Sequence, residues 1–296
     1  MPRDVSYWVA AHLTGIFEIR DSSTKLLEKG SRGAGLSINR GIVTTIRQTK
    51  NQKTEIFFDG VEKSFPEAVV TKCVIDFMLP DKHRYGLRID HNFEIPLSSG
   101  YGASAAGALG TAFCINDIFD REKTELELFQ IAHKAEVKTK SGLGDIIALY
   151  QGGIEIRLKE GAPGVGRTMS INSDEGWKVA TINLGPLSTS EVLSNPQKRR
   201  LVNDAGRELV KQLISRPSFS HFLQLAQKFT QKVKLWSPRL RKCAENLPNE
   251  IVWAQIMLGE GLFLFYQEET DLLNINFPES QINKETVCYQ TVVKKQ

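Results

Sequence analysis

Cysteine is scarce in this sequence and never clustered. The four residues are Cys73, Cys114, Cys243 and Cys288. None belongs to a CxxC pair, and none combines with the five histidines into a zinc-like group. This excludes a disulfide scaffold and a structural zinc site, and leaves reduced, partly buried thiols. Long apolar runs are missing as well. The longest, at residues 262–266, is far too short to cross a bilayer. The first residues carry no basic segment followed by an apolar core, so no signal peptide is read there. A cytoplasmic location and no membrane partner are expected. There is little charge of one sign: 38 basic residues face 34 acidic ones, for a net +4. A dedicated nucleic-acid binder concentrates its charge, whereas Lys198, Arg199, Arg200, Lys232, Lys234, Arg239 and Arg241 are spread along segments of helical spacing as solvated faces. No nucleic-acid partner is expected. Repeats and low-complexity stretches are also lacking.

What is present is ordinary globular material, 41% hydrophobic and 24% charged. The first 160 residues are rich in glycine turns and short strand-like runs, at residues 42–46, 55–58, 87–95 and 153–158. The clearest is 87–95. Leu87, Ile89, Phe93 and Ile95 alternate there with Arg88, Asp90, Asn92 and Glu94, the period of a strand with one wet face, which suits an antiparallel sheet. Helices are expected over residues 105–116 and from Thr124 to about 138, the second opened by a Thr124/Glu127 capping box. Asp145 is read as the start of another short helix. Beyond Pro196 the texture becomes helical, over 198–215, 219–234 and 238–246. The turn at 161–166 is read as a hinge, giving an N-terminal unit over 1–160 and a C-terminal unit over 161–296.

Strand, glycine-rich turn and helix form the arrangement that binds phosphate, because glycines let backbone N–H groups approach the anion at a helix N-terminus. Ser98, Ser99, Gly100, Tyr101, Gly102, Ala103, Ser104 and Ala105 make up such a segment after Pro96. A P-loop is excluded by its missing lysine. A dinucleotide fold accepts Gly100-x-Gly102 but wants a buried parallel strand before it and an acidic residue ending the next strand; Asp117 and Asp120 end a helix instead. Glu136 is closely followed by Ser141-Gly-Leu-Gly-Asp145, and a further glycine motif, Met257-Leu-Gly-Glu-Gly261, is read between two apolar helical stretches.

These three motifs, in this order, resemble the GHMP kinases, small-molecule kinases of galactose, homoserine, mevalonate and phosphomevalonate. Residues 96–106 match their PxxxGLGSSA loop in register, with Ala103 in place of the first serine and Tyr101 in place of the leucine. Further likeness is to one branch, the archaeal pantoate kinases of coenzyme A biosynthesis. It rests on Ala11-His-Leu-Thr-Gly-Ile-Phe17, on Gly30-Ser-Arg-Gly-Ala-Gly35 as a substrate-side glycine loop, and on the segments 105–112, 152–157 and 161–164. Ser98 and Ser99 depart from the glycine and alanine usual there.

The resemblance implies an α+β GHMP kinase fold: an N-terminal domain with a left-handed β-α-β crossover and a ferredoxin-like C-terminal domain. It implies ATP as co-substrate, its phosphates on residues 98–105, and Mg2+ on Ser104 and Glu136, which suits an oxygen-loving ion. Asp145 is implied as general base. Ser31, His133 and Arg157 are implied on the side of the substrate pantoate, with His12 and Thr14 facing the site. Each has a plainer reading: Ser104 and Asp145 as helix caps, Glu136 as a surface charge, His133 as a packed histidine. Kinases of homoserine, shikimate or mevalonate, and a non-catalytic nucleotide-binding regulator, stay open as alternatives. The sequence does not set the oligomeric state; a homodimer is compatible with it. Phe277-Pro278 and the lysine-tipped end match no motif, and are read as a terminal strand or a tail.

Overall fold

The computed structural model describes residues 4–51, 53–80, 86–173, 176–185, 195–273, 275 and 282–295. Phe277-Pro278 lies outside them. The first half runs β1 (Val5–Arg20), β2 (Gly30–Thr49), β3 (Thr54–Phe58), β4 (Val61–Glu62), α1 (Val69–Met78), β5 (Gly86–Phe93), α2 (Ala103–Ile118), α3 (Glu125–Thr139), α4 (Asp145–Gln151), β6 (Ile154–Lys159) and β7 (Arg167–Ile171). The second half follows with β8 (Lys178–Gly185), α5 (Pro196–Ser215), α6 (Phe219–Val233), α7 (Pro238–Glu245), β9 (Val252–Gln255), β10 (Glu260–Tyr266), α8 (Glu269–Leu273), β11 (Ile282–Glu285) and β12 (Val292–Lys295).

The larger sheet has the order β12-β1-β2-β5-β3-β4, with β6 paired to the first half of β2 and β7 to β6. Its spine is the β1–β2 hairpin, kinked by register shifts at Ala10/Ala11 and Thr14/Ile16. Strand β5 is antiparallel to β2, as its alternation suggests, but parallel to β3, with α1 in the connection between them. Helix α2 is built mostly of small and apolar residues, and its middle is buried against β1 and β2. Gly110 is what lets it come so close: a Cβ there would lie 2.4 Å from Thr44 Oγ1. Helix α3 opens with the expected capping box. Glu127 N–H donates to Thr124 Oγ1 over 3.3 Å, and Thr124 N–H donates to Glu127 Oε2 over 2.9 Å.

The smaller sheet has the order β11-β8-β10-β9, all antiparallel. Numbered along the chain, its strands run 4-1-3-2, with helices between the first and second and between the third and fourth. That is the ferredoxin-like β-α-β-β-α-β arrangement.

Three local expectations change. The turn at 161–166 does not separate the halves. It closes the β6–β7 hairpin within the larger sheet, and β12 returns to that sheet beside β1. Gly30 to Gly35 is not a loop but the opening of β2. Met257 to Gly261 lies between two strands, not two helices, as the turn of the β9–β10 hairpin. The run at 262–266 is buried at every position, so it shows no period that distinguishes strand from helix.

Candidate active site

A cleft of about 640 Å³ opens where β1, β2, the 98–104 loop, the 139–145 turn and the β9–β10 turn meet. Its lining includes Ser31, residues 98–104, Asp145 and Arg157. His133 and Glu136 lie behind that lining, both buried.

The 98–104 loop ends in Gly102, whose φ of +67° places it in the left-handed region, directly before α2. The N-cap of α2 is Gly102, which has no side chain to accept from the helix's first N–H groups, and residues 102–104 line the cleft. The loop's backbone is tightly fixed. Gly100 has φ +83°, and a Cβ there would meet Met257 O at 2.8 Å. Ser98 also adopts a left-handed φ of +56°, the conformation a glycine takes without strain. The Ser99 hydroxyl donates to Leu97 O at 3.1 Å and Gly185 O at 3.2 Å, so it anchors the loop to the smaller sheet. Tyr101 is buried, with its hydroxyl toward Thr181 and Glu285, and burial pushes its pKa up to about 12. The Ser99 hydroxyl and the buried Tyr101 side chain therefore hold the loop from behind, while Ser104 lines the cleft.

Glu136 comes from α3, one turn beyond His133. It is 2% exposed, and neither carboxylate oxygen has a hydrogen-bond partner among the described residues. Burial, and then the nearby Asp145 charge, push its pKa up to about 8; the Ser104 side chain offsets a little of this. A buried carboxylate left unpaired is costly unless a cation completes it. Glu136 and the Ser104 hydroxyl therefore fit a hard, oxygen-seeking cation. Gly142 makes room for the carboxylate, since a Cβ there would lie 2.1 Å from Glu136 Oε2.

Asp145 starts α4 with a quarter of its side chain open to the cleft. Its Oδ1 lies 2.9 Å from Nδ1 of His12, a fully buried residue of β1. Burial works against the Asp145 charge, but His12, helped by Arg157, holds the carboxyl below the usual carboxylate range. The other ring nitrogen of His12 lies 3.2 Å from both oxygens of Glu155. Glu155 Oε1 in turn accepts from Arg157 Nη1 at 2.7 Å, and Arg157 Nη2 donates to Ile16 O at 3.4 Å. Arg157 Nε is buried without an acceptor among the described residues. A Cβ on Gly144 would lie 3.1 Å from that Nε and 2.3 Å from the Ser31 hydroxyl, so Ser31 and Arg157 meet under the turn.

His133 goes elsewhere. Its Nε2 is 2.9 Å from the Lys29 carbonyl, which joins α3 to the entry of β2, and burial drops its pKa to about 4. It supports the strand that carries Ser31. Thr14 does line the cleft, with Oγ1 3.4 Å from His12 Nδ1. Sequence reasoning did not pick out Glu155. The signal was present: Glu155 and Arg157 share one face of β6 while Ile154 and Ile156 share the other. That charged face, however, is buried toward the cleft and not solvated.

This geometry has known counterparts. A model of the GHMP kinases N terminal domain matches residues 69–153. The pantoate kinase of Thermococcus kodakarensis is 33% identical over 88% of this chain and 87% of its own. That of Methanocaldococcus jannaschii is 29% identical over 89% of this chain and 94% of its own. A solved structure of a phosphotransferase related to the CoA biosynthesis pathway superposes with a TM-score of 0.85 at 28% identity, covering 99% of each chain. The chain belongs to the pantoate kinase family of the GHMP kinases.

Proposed function

We propose that the protein transfers the γ-phosphate of ATP to the primary hydroxyl of pantoate, giving 4-phosphopantoate and ADP. The observation that carries this is the sharing of one cleft by three chemically distinct ends. These are the N-terminus of α2, Asp145 with the buried Glu136 close behind the lining, and the unspent Arg157 Nε beside Ser31.

Phosphoryl transfer needs alignment and charge neutralisation more than covalent chemistry. The backbone N–H groups of Gly100 to Ala105 receive the polyphosphate at the positive end of α2. Ser104 and Glu136 would hold Mg2+, which when bound neutralises phosphate charge. Arg157 Nε and the Ser31 hydroxyl take the pantoate carboxylate at the far side. Asp145 accepts the proton of the substrate hydroxyl. That oxygen forms its bond to the γ-phosphorus while the bond from phosphorus to the β–γ bridging oxygen breaks, and ADP leaves.

A coupled ADP-release assay with ATP and Mg2+, run side by side on D-pantoate, homoserine, shikimate and mevalonate, tests this. Release with pantoate alone is expected. Release with only another alcohol keeps the transfer chemistry and overturns the assignment of Ser31 and Arg157. Silence with all four, while ATP still binds, overturns the kinase reading.

A further inference from the structure

His12 is a fully buried imidazole placed between two carboxylates, Asp145 Oδ1 at 2.9 Å and both Glu155 oxygens at 3.2 Å. An ionised carboxylate only accepts hydrogen bonds. With both carboxylates ionised, both ring nitrogens donate and the ring is an imidazolium. Together, Asp145, His12, Glu155 and Arg157 alternate in sign along one hydrogen-bonded chain that balances to zero. Its two ends reach the cleft: Asp145 where a proton must be taken, Arg157 Nε where a substrate anion is held.

The sequence makes room for this chain with glycines on β2. A Cβ at Gly35 would lie 2.5 Å from His12 Nε2, and one at Gly33 would lie 2.6 Å from Arg157 Nη2. Those glycines belong to the motif expected to bind substrate as a loop. Here they clear space for the buried chain behind the site. Because His12 occupies Asp145 Oδ1, the oxygen left for substrate is Oδ2, which lies beside the cleft-lining Gly142.

We propose that His12 is a positioning residue for phosphoryl transfer, fixing Asp145 so that Oδ2 alone meets the substrate hydroxyl, and that Glu155 couples this setting to the Arg157 anchor. This deepens the kinase reading and rests on it. A histidine there only to neutralise buried charge has no directional requirement at Nδ1; a positioning histidine does.

The test is a substitution series. The amide nitrogen of His12→Asn falls near the Nδ1 position, and that of His12→Gln near Nε2. His12→Ala is expected to lower kcat about 100-fold, with KM for pantoate and ATP within about threefold. His12→Asn is expected to recover at least about tenfold of that kcat, and His12→Gln not to. A kcat for His12→Ala within about threefold of the parent, or Asn no better than Gln, overturns the proposal. Should the His12 variants fail to fold, Glu155→Gln carries the question. It is expected to lower kcat and raise the pantoate KM together while the ATP KM holds, and a change in ATP KM alone overturns the coupling. The parent enzyme's own turnover separates the two readings. If the parent acts on a different alcohol, the substrate assignment is wrong, and the same series on that alcohol still decides the role of His12.

Discussion

His12 carries its charge in a place where burial alone would remove it. Burial pushes the ring toward neutrality, but Glu155 and Asp145 more than offset that, and its pKa rises from 6.5 to about 9. A base with a raised folded-state pKa contributes stability that is complete below its unfolded value and lost as pH climbs to the folded one. The window is thus pH 6.5 to about 9, and the buried ring gives the loss a ceiling of about 3 kcal/mol at roughly 1.4 kcal/mol per pH unit. The charged groups facing it are Asp145 on α4 and Glu155 on β6, with Arg157 behind. His91 and His133, both dropped to about 4 by burial, stay neutral across this window. Glu136, raised to about 8, loses stability in the same direction, so the parent alone does not isolate His12. Denaturant unfolding of the parent and His12→Gln at pH 6, 8 and 9.5 does. The parent is expected to lose stability relative to the variant as pH rises, and parallel curves would show that the ring is neutral. Glu136, Asp145 and His12 entered the sequence reading through the family resemblance, which rests on a helix, a glycine turn and an acid at the next helix start, whereas Glu155 entered through none. His12 and Glu155 sit 143 positions apart on two strands. Only the meeting of β1 and β6 across β2 gives them a meaning, and no local pattern encodes that register.

The 98–104 loop is an element whose shape is set by another element. Gly259, in the β9–β10 turn, presses on it so closely that a Cβ would lie 1.9 Å from Ser99 O and 3.0 Å from Gly100 N, both backbone atoms that have no rotamer to change. Gly100 presses back on Met257 O. Gly259→Ala is therefore expected to push the loop off its position at the start of α2 and raise the KM for ATP about tenfold or more, the scale of a misplaced binding element. The pantoate KM should stay within about threefold, because Ser31 and Arg157 stand on β2 and β6, away from this contact. Initial-rate kinetics with each substrate varied in turn checks this; an unchanged ATP KM would mean that the loop holds its shape unaided. The sequence showed the third glycine motif and its place in the order, yet not the elements around it. Residues 262–266 are apolar without a break, and the glycines of the motif serve contact with a distant loop, which spacing along the chain does not reveal.

At the scale of the whole molecule, the two sheets are held together by a segment that has no motif of its own. Strand β11 adds to β8 in the smaller sheet, Val287 bridges to Ile38 of the larger one, and β12 then lies along β1 from Val9 to Ser6. On the way, Ala10 N–H donates to Thr291 O at 2.8 Å, and the Thr291 hydroxyl donates to Leu149 O at 2.5 Å. Gly152 and Gly153, both at positive φ, lie against Tyr289 so closely that Cβ atoms would approach its carbonyl to 2.4 Å and its ring to 2.6 Å. The segment thus seals the edge of the strand that bears His12, two residues from Ala10, and the end of the helix that Asp145 begins. Ending the chain at Gln290 removes the β12 ladder and these two bonds. At about 1 kcal/mol per buried hydrogen bond, the loss is roughly 4–6 kcal/mol. At 2–4 °C per kcal/mol for a chain of this size, the melting temperature should fall by roughly 10–20 °C. Saturating ATP binds only the folded form and returns about 2.7 kcal/mol at a hundred times its Kd, so part of the drop should reverse in a thermal melt with nucleotide. Full loss of the nucleotide-dependent gain would mean that β12 is needed to form the cleft itself, whereas an unchanged melting temperature would mean that β1 keeps its place, and His12 its partners, without the strand beside it.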